Sequence, residues 1–162
     1  MNRVSKENYY LDIARTVAER STCLRRMFGA IIVKDDVIIS TGYNGAPRGR
    51  QNCSDIGECM RDKLKIPRGE RYELCRSVHA EANAIIAASR DAMLGSTLYM
   101  VCVSPKDGSL FAGTNSCMMC KRMIINAGIS TVVVRDTETE FRVINTSDWI
   151  ENDDSLSGVF GY

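Results

Sequence analysis

The reactive side chains of this sequence fall at few positions. It has one histidine, His79, and seven cysteines. His79-Ala80-Glu81 is followed 38 residues later by Cys117-Met118-Met119-Cys120. Alone, a histidine in an amphipathic stretch can be an ordinary structural residue, and a C-x-x-C can be a redox dithiol or half of a structural zinc site. Together they offer three soft or borderline ligands from two helix N-termini. Three ligands leave one tetrahedral position open, the arrangement of a catalytic zinc with a bound water. Residues three apart in a first helical turn point the same way, so both thiols can reach one ion, and the amide dipoles there favour their ionised form. Glu81 stands near such an ion without having to ligate it. A carboxylate there can take a proton from water and hand it to a leaving group. With one histidine, chemistry that needs two imidazoles from this chain is excluded, and a Ser-His-Asp triad would need His79 as its base.

The elements that must position these groups follow from length and pattern. At 162 residues the chain fits one domain, 1–162, and its 44% hydrophobic and 25% charged residues suit an ordinary globular core. A net charge of +1 gives no broad polyanion-binding surface, so nucleic acid is not an expected partner. Residues 1–20 carry charges throughout and lack the apolar core of a secretory signal. No run approaches the roughly 18 apolar residues of a membrane span. A reducing cytoplasm is the expected location, where thiols serve as ligands, catalysts or core rather than bridges. An odd number of cysteines cannot all pair within one chain in any case.

Residues 5–20 read as a helix capped by Ser5, with Tyr9, Ile13, Ala14 and Val17 on one face. Residues 30–33 and 37–40 are β-branched runs flanking Asp35-Asp36, a hairpin signal. The unalternating Ile-Ile-Val suits a strand covered on both faces. From 43 to 76 the periodicity disappears, with two of the three prolines and three of the seven cysteines. A loop of about 30 residues far exceeds the usual ~4–6 and needs a function or a cross-link. Residues 77–90 read as a helix with Val78, Ala82, Ile85 and Ile86 as its stripe. Thr97–Val103 is a strand, 105–108 a turn, Met118–Ala127 a helix ended by Gly128, and Thr131–Arg135 a strand. The tail, 148–162, reads as a peripheral helix that frays. The order α-β-β-loop-α-β-α-β predicts an α/β sheet with helices on both faces.

The combination His-Ala-Glu with C-x-x-C resembles the zinc-dependent cytidine deaminase superfamily. The stretches GAIIVKDDVIISTGYNGAP, NCSD, HAEANAI and CMMCKRMIINAGI resemble, more narrowly, the deoxycytidylate (dCMP) deaminases, including competence-operon relatives in bacteria. The similarity runs from about residue 4 to 134. It implies a three-layer α-β-α cytidine deaminase-like fold with a central mixed sheet of about five strands. It implies His79, Cys117 and Cys120 as zinc ligands and Glu81 as proton shuttle, with hydroxide attacking C4 of the pyrimidine while Glu81 protonates N3 and then assists loss of ammonia, giving dUMP. It makes Asn44 a sugar ligand, with Gly42 and Gly45 allowing its turn to approach, and places Ala80 at the substrate. As a residue, Asn44 could equally be a plain left-handed turn former. The sequence departs from the family pattern at Ser116, where proline is usual; a serine can cap the helix instead. Residues 104–114 read as an added hairpin around Asp107-Gly108.

Family members can also hold a second, structural zinc near the long loop, which here implies Cys23, Cys53, Cys59 and Cys75 as its ligands; some of these could instead be small buried residues. Cys102, within a strand, reads as core. A nucleotide needs a cationic pocket end. Between residues 20 and 50 there are six basic and two acidic side chains, and Arg26 and Arg48 are the phosphate candidates, unless they belong to a solvated face. The resemblance further implies a homo-oligomer and a deoxynucleotide triphosphate effector near the Tyr-Asn-Gly turn. The leading function is deamination of dCMP to dUMP in pyrimidine deoxynucleotide metabolism. The alternatives are deamination of another cytosine or purine nucleoside, base or RNA base, and a non-catalytic zinc-binding accessory module.

Overall fold

The computed structural model of the chain describes residues 1–153. Helix α1 (Lys6–Ala18) starts where Ser5 Oγ accepts the Asn8 amide at 3.2 Å, and it buries Tyr10, Leu11, Ala14 and Ala18. Strands β1 (Met27–Lys34) and β2 (Val37–Tyr43) form the expected hairpin. Asp35 and Asp36 both take positive φ, 50° and 65°, which matches the twist a two-residue hairpin turn requires. The five-stranded sheet has the order β2-β1-β3-β4-β5, with β3 (Thr97–Val103), β4 (Thr131–Arg135) and β5 (Phe141–Asn145). Only β3 and β4 pair in parallel, through the crossover helix α6 (Met118–Ala127). That makes the sheet mixed, as the resemblance implied.

Alternation along the central strands separates two cores. Ala30, Ile32, Leu98, Met100, Val132 and Val134 face one way, against helix α4 (Ala80–Ile86) and α6. Ile31, Val33, Tyr99, Val101, Val103 and Val133 face the other, against α1. Each fully buried Val, Leu or Ile side chain stabilises the fold by about 1.5–3 kcal/mol, so the covered strands β1, β3 and β4 form a rigid base for the helix starts above them.

The structure departs from the sequence reading in four places. The helix expected over 77–90 is two: α4, then α5 (Arg90–Met93), because Ser89 Oγ caps a new start by accepting the Ala92 amide. Its apolar stripe is also different. Ala82 is buried and Ile85 packs against the core as expected, but Val78 precedes the helix, Ile86 is 75% exposed, and Ala80 and Ala84 complete the core face. The stretch 43–76 carries helices α2 (Cys53–Ile56) and α3 (Met60–Lys63) and a 3-10 turn (Tyr72–Leu74). Strand β5 was not anticipated. The 104–114 hairpin is present, with Ser104 N donating to Ser109 O at 2.8 Å and Val103 bridging Leu110, and Cys102 is fully buried in β3. Of the tail, α7 (Thr146–Glu151) is seen, and 154–162 lie outside the described residues.

Candidate metal and catalytic site

Two helix starts meet above the sheet. His79 is the N-cap of α4 and Cys117 the N-cap of α6, both with extended backbone and neither using its side chain to cap. Their side chains are therefore available to a ligand, while Cys120 joins them from the first turn of α6. His79 Nδ1 lies 3.4 Å from each Sγ, and the three donor atoms all lie within 4.8 Å of one another. A tetrahedral zinc with ordinary bond lengths would hold such nitrogen and sulfur atoms about 3.6 Å apart. The set fits zinc in distance and in donor type. Among the described residues it is the only His/Cys/Asp/Glu group of three or more gathered so closely.

The three donors set one another's protonation. Burial pushes the His79 imidazolium down, but hydrogen bonding to Cys117 and Cys75 and the charge of Glu81 outweigh it and carry the pKa up to about 11. Cys117 falls to about 4, led by the hydrogen bond from Cys120. Cys120 is correspondingly held in its protonated form. The pair thus begins with one thiolate already formed. Glu81 is 4% exposed. Burial raises its pKa, against the pull of His79. Burial thus favours the protonated carboxyl, the form that can give a proton away.

Second-layer contacts fix both starts. Gly45 and Val78 exchange backbone hydrogen bonds of 3.2 and 2.7 Å, and Asn83 Nδ2 donates to Tyr43 O at 2.8 Å, tying the end of β2 to the beginning of α4. Gly42 makes room for that helix rather than for a ligand, since a Cβ there would run into the Ala80 carbonyl and the Ala84 amide. Ser116 does not cap α6. It is fully buried, and Cys117 takes the cap position. The approach to α6 is held instead by Asp136 Oδ1 accepting the Gly113 amide at 2.8 Å, and by Arg142 of β5, which donates to Asp136 and to the Thr114 carbonyl.

A cleft of about 710 Å³, including its open mouth, adjoins these groups. His79, Glu81, Asn44 and Arg26 line it. Asn44 is 5% exposed, and its Oδ1 accepts the Phe28 amide at 2.9 Å and the Ser21 hydroxyl at 2.5 Å, while Nδ2 donates to Arg26 O at 2.9 Å. One Nδ2 hydrogen remains for a ligand. Arg26 carries its guanidinium 4.4 Å over the Phe111 ring. Arg48 is exposed and lies outside the lining, and Ala80 is buried in the core beneath. Arg61, Arg68 and Tyr72 also line the cleft, and sequence reasoning misses them because their stretch reads as polar and aperiodic.

All seven cysteines are free. Cys23, Cys59 and Cys75 line the cleft. Burial pushes the Cys53 thiol up, and Cys23, Cys75 and Cys59 are near enough to add to that. Their sulfurs are not drawn together as those of the His79 centre are.

A three-layer α/β fold that presents an imidazole, two thiols and a buried carboxyl at two helix starts is that of a zinc-binding protein. The chain belongs to the cytidine and deoxycytidylate deaminase zinc-binding family, whose profile matches residues 4–136. It is 33% identical over 131 residues to the deoxycytidylate deaminase of Schizosaccharomyces pombe, covering 81% of this chain and 37% of that one. It is 35% identical over 137 residues to the deoxycytidylate deaminase of Mycobacterium phage D29, covering 82% and 96%. The crystal structure of dCMP deaminase from the cyanophage S-TIM5 with dCMP and dUMP shares the fold, at a TM-score of 0.57 and 24% identity over 99% of this chain and 98% of that one. No described helix is long and apolar enough to cross a membrane.

Proposed function

We propose that this chain is a hydrolytic deaminase that converts dCMP and water to dUMP and ammonia, supplying pyrimidine deoxynucleotides for thymidylate synthesis. The observation that carries this reading is the buried Glu81 carboxyl beside the His79–Cys117–Cys120 centre, in a cleft with four arginines and no other acid. A structural zinc site has no use for that carboxyl. Zinc held by the three ligands supplies the Lewis acidity that lets a water ionise near pH ~7. Glu81 takes the proton released and delivers it to N3 as C4 is attacked, then takes the remaining proton from the new C4 hydroxyl and passes it to the departing amino group. Asn44 donates its remaining Nδ2 hydrogen to the sugar, and Arg26 lies on the cationic side of the cleft. The relatives named deoxycytidylate deaminase support this substrate over other cytosine or purine compounds.

The reading includes a second, structural zinc on Cys23, Cys53, Cys59 and Cys75, supported by the nearness of the other three thiols to Cys53. Metal analysis of pure protein is expected to give two zinc ions per chain and one after Cys53→Ser; one before and after removes the second site. It also includes a cytoplasmic location, in keeping with seven free thiols. A homo-oligomer with a deoxynucleotide triphosphate effector is the last part, for which exposed Tyr43 offers apolar surface at the turn itself.

The deciding experiment follows ammonia release by zinc-loaded protein from dCMP, deoxycytidine, CMP and cytidine. Turnover led by dCMP is expected. Clear turnover of another compound with none of dCMP overturns the substrate, and no turnover of any leaves the non-catalytic alternative.

A further inference from the structure

We infer that Asp136 and Arg142 are positioning residues of the zinc centre: as a paired carboxylate and guanidinium at the β4–β5 turn, they fix the linker 113–116 and, through it, the sulfur of Cys117. Their role lies in holding the ligand set together, whichever compound the protein deaminates.

The linker has little support of its own. Residues 113–116 belong to no helix or strand, yet Thr114 and Ser116 are fully buried. Among the described residues no backbone–backbone hydrogen bond involves 113–116, and the buried hydroxyls of Thr114 and Ser116 have no partner. Buried backbone groups are ordinarily paired, and here side chains pair them. The Gly113 amide donates to Asp136 Oδ1 at 2.8 Å, and the Thr114 carbonyl accepts from Arg142 Nη2. The Ser116 amide is met locally, by Asn115 Oδ1 at 2.8 Å.

The clamp is anchored in the sheet. Asp136 directly follows β4, whose Val133 and Val134 are buried, and Arg142 stands opposite Val134 on β5. Arg142 Nε donates to Asp136 Oδ2 at 2.8 Å and its Nη2 to Asp136 Oδ1 at 3.1 Å, a two-point pairing of fork and carboxylate. Burial pushes the Asp136 carboxyl up, but Arg142 and the Gly113 amide outweigh it and hold it below the usual carboxylate range. The bonds thus run from the sheet through Gly113 and Thr114 to the start of α6. Cys117 is the N-cap there and its side chain caps nothing, so the place of its sulfur, 3.4 Å from His79 Nδ1, depends on how the chain enters the helix. Metal sites tolerate only about 0.2 Å in ligand distance. A linker released at Gly113 and Thr114 therefore loosens the donor set.

The test compares the unaltered chain with Arg142→Gln, Asp136→Asn and Ile144→Ala. Arg142→Gln removes charge and fork together. Asp136→Asn keeps an oxygen for the Gly113 amide and loses the ion pair. Ile144 lies in the same strand but packs against the core, so its variant weakens β5 without removing a bond to the linker. Three quantities are read: zinc affinity by competition with a chelator, the thiolate-to-metal absorption of the cobalt(II)-loaded protein, and the Tm of the metal-free chain. Arg142→Gln is expected to weaken zinc binding about tenfold, at the lower end for groups that orient ligands, and Asp136→Asn to weaken it less, both with an altered cobalt spectrum. Ile144→Ala is expected to lower Tm at least as far while keeping the affinity and spectrum of the unaltered chain. Unchanged zinc affinity in both clamp variants, or an equal loss in Ile144→Ala, overturns the positioning role. Ammonia release from dCMP is no part of these readouts, so failure here and failure of the deaminase reading are told apart.

Discussion

Tyr72 sets the edge of its ring against the imidazole of His79, with centroids 5.3 Å apart and planes at 82°. Such T-shaped contacts contribute about 0.5–1.5 kcal/mol beyond area burial, and this one bears on the orientation of a metal ligand. Groups that orient ligands typically matter about 10–100-fold in metal affinity. Tyr72→Ala is expected to weaken zinc binding about tenfold, and Tyr72→Phe to leave it unchanged. Competition against a zinc chelator reads both. Equal affinity in the two variants would contradict an orienting role.

Glu81→Gln keeps the shape of the side chain but can neither accept nor return a proton. Because Glu81 is not one of the three gathered donors, the variant is expected to retain zinc while kcat falls by about 10²–10⁴. Ammonia release and metal content, measured on one sample, check the pair of outcomes. Full activity with zinc in place rules out the shuttle.

Gly42 lies where β2 passes beneath α4, and an added methyl meets backbone atoms that cannot step aside. Overpacking of this kind costs about 1–3 kcal/mol. Since α4 carries His79 at its cap and Glu81 in its first turn, Gly42→Ala is expected to lower both Tm and zinc occupancy. Gly45→Ala makes the comparison, because its methyl would press chiefly on the Thr22 hydroxyl, at 2.9 Å. Calorimetry should find Gly42→Ala the less stable of the two; the reverse order contradicts the packing argument.

Tyr10 donates its hydroxyl to Asp36 Oδ1 at 2.6 Å, joining α1 to the β1–β2 turn. That bond, then burial, pushes the Tyr10 pKa up to about 12. The same bond, with Lys6, lowers that of Asp36. Tyr10 keeps its proton in the folded chain above the ~10 of an unfolded tyrosine, so its contribution is complete below pH ~10 and disappears as pH rises to about 12. The contribution of Asp36 is complete above pH ~4 and is lost on acidification. Urea midpoints of the unaltered chain and Tyr10→Phe are expected to differ by a constant amount from pH 6 to 9 and to converge between 10 and 12. A constant difference through pH 12 would show that the bond does not control the titration.

The zinc ligands and Glu81 are legible in the sequence because their geometry is local: each pair lies within one turn of a helix start, and spacing alone aligns it. The hairpin through Asp35-Asp36 and the two-faced β1 strand are legible for the same reason. Arg61 and Arg68 are not. The burial of Arg61 depends on carbonyls at 67 and 70 folding back onto it, and nothing in a polar run such as MRDKLKIPRGERY announces that closure. Strand β5 is hidden differently. Arg142 and the exposed Val143 break its alternation, and it is a strand because β4 offers it an edge. The charge count that pointed to Arg48 saw sequence neighbours, whereas the cleft gathers arginines from positions 25 to 68.

Between the end of β2 at Tyr43 and the start of β3 at Thr97, no residue contributes to a named strand. The cleft wall built by 57–76 is therefore an appendage between two fixed anchor points, the Gly45–Val78 bridge among them. It can change in length without shifting the register of the sheet, provided that Tyr72 keeps its place against the His79 ring. A designer wishing to reshape the cleft while leaving the sheet untouched has a bounded stretch of chain to rewrite.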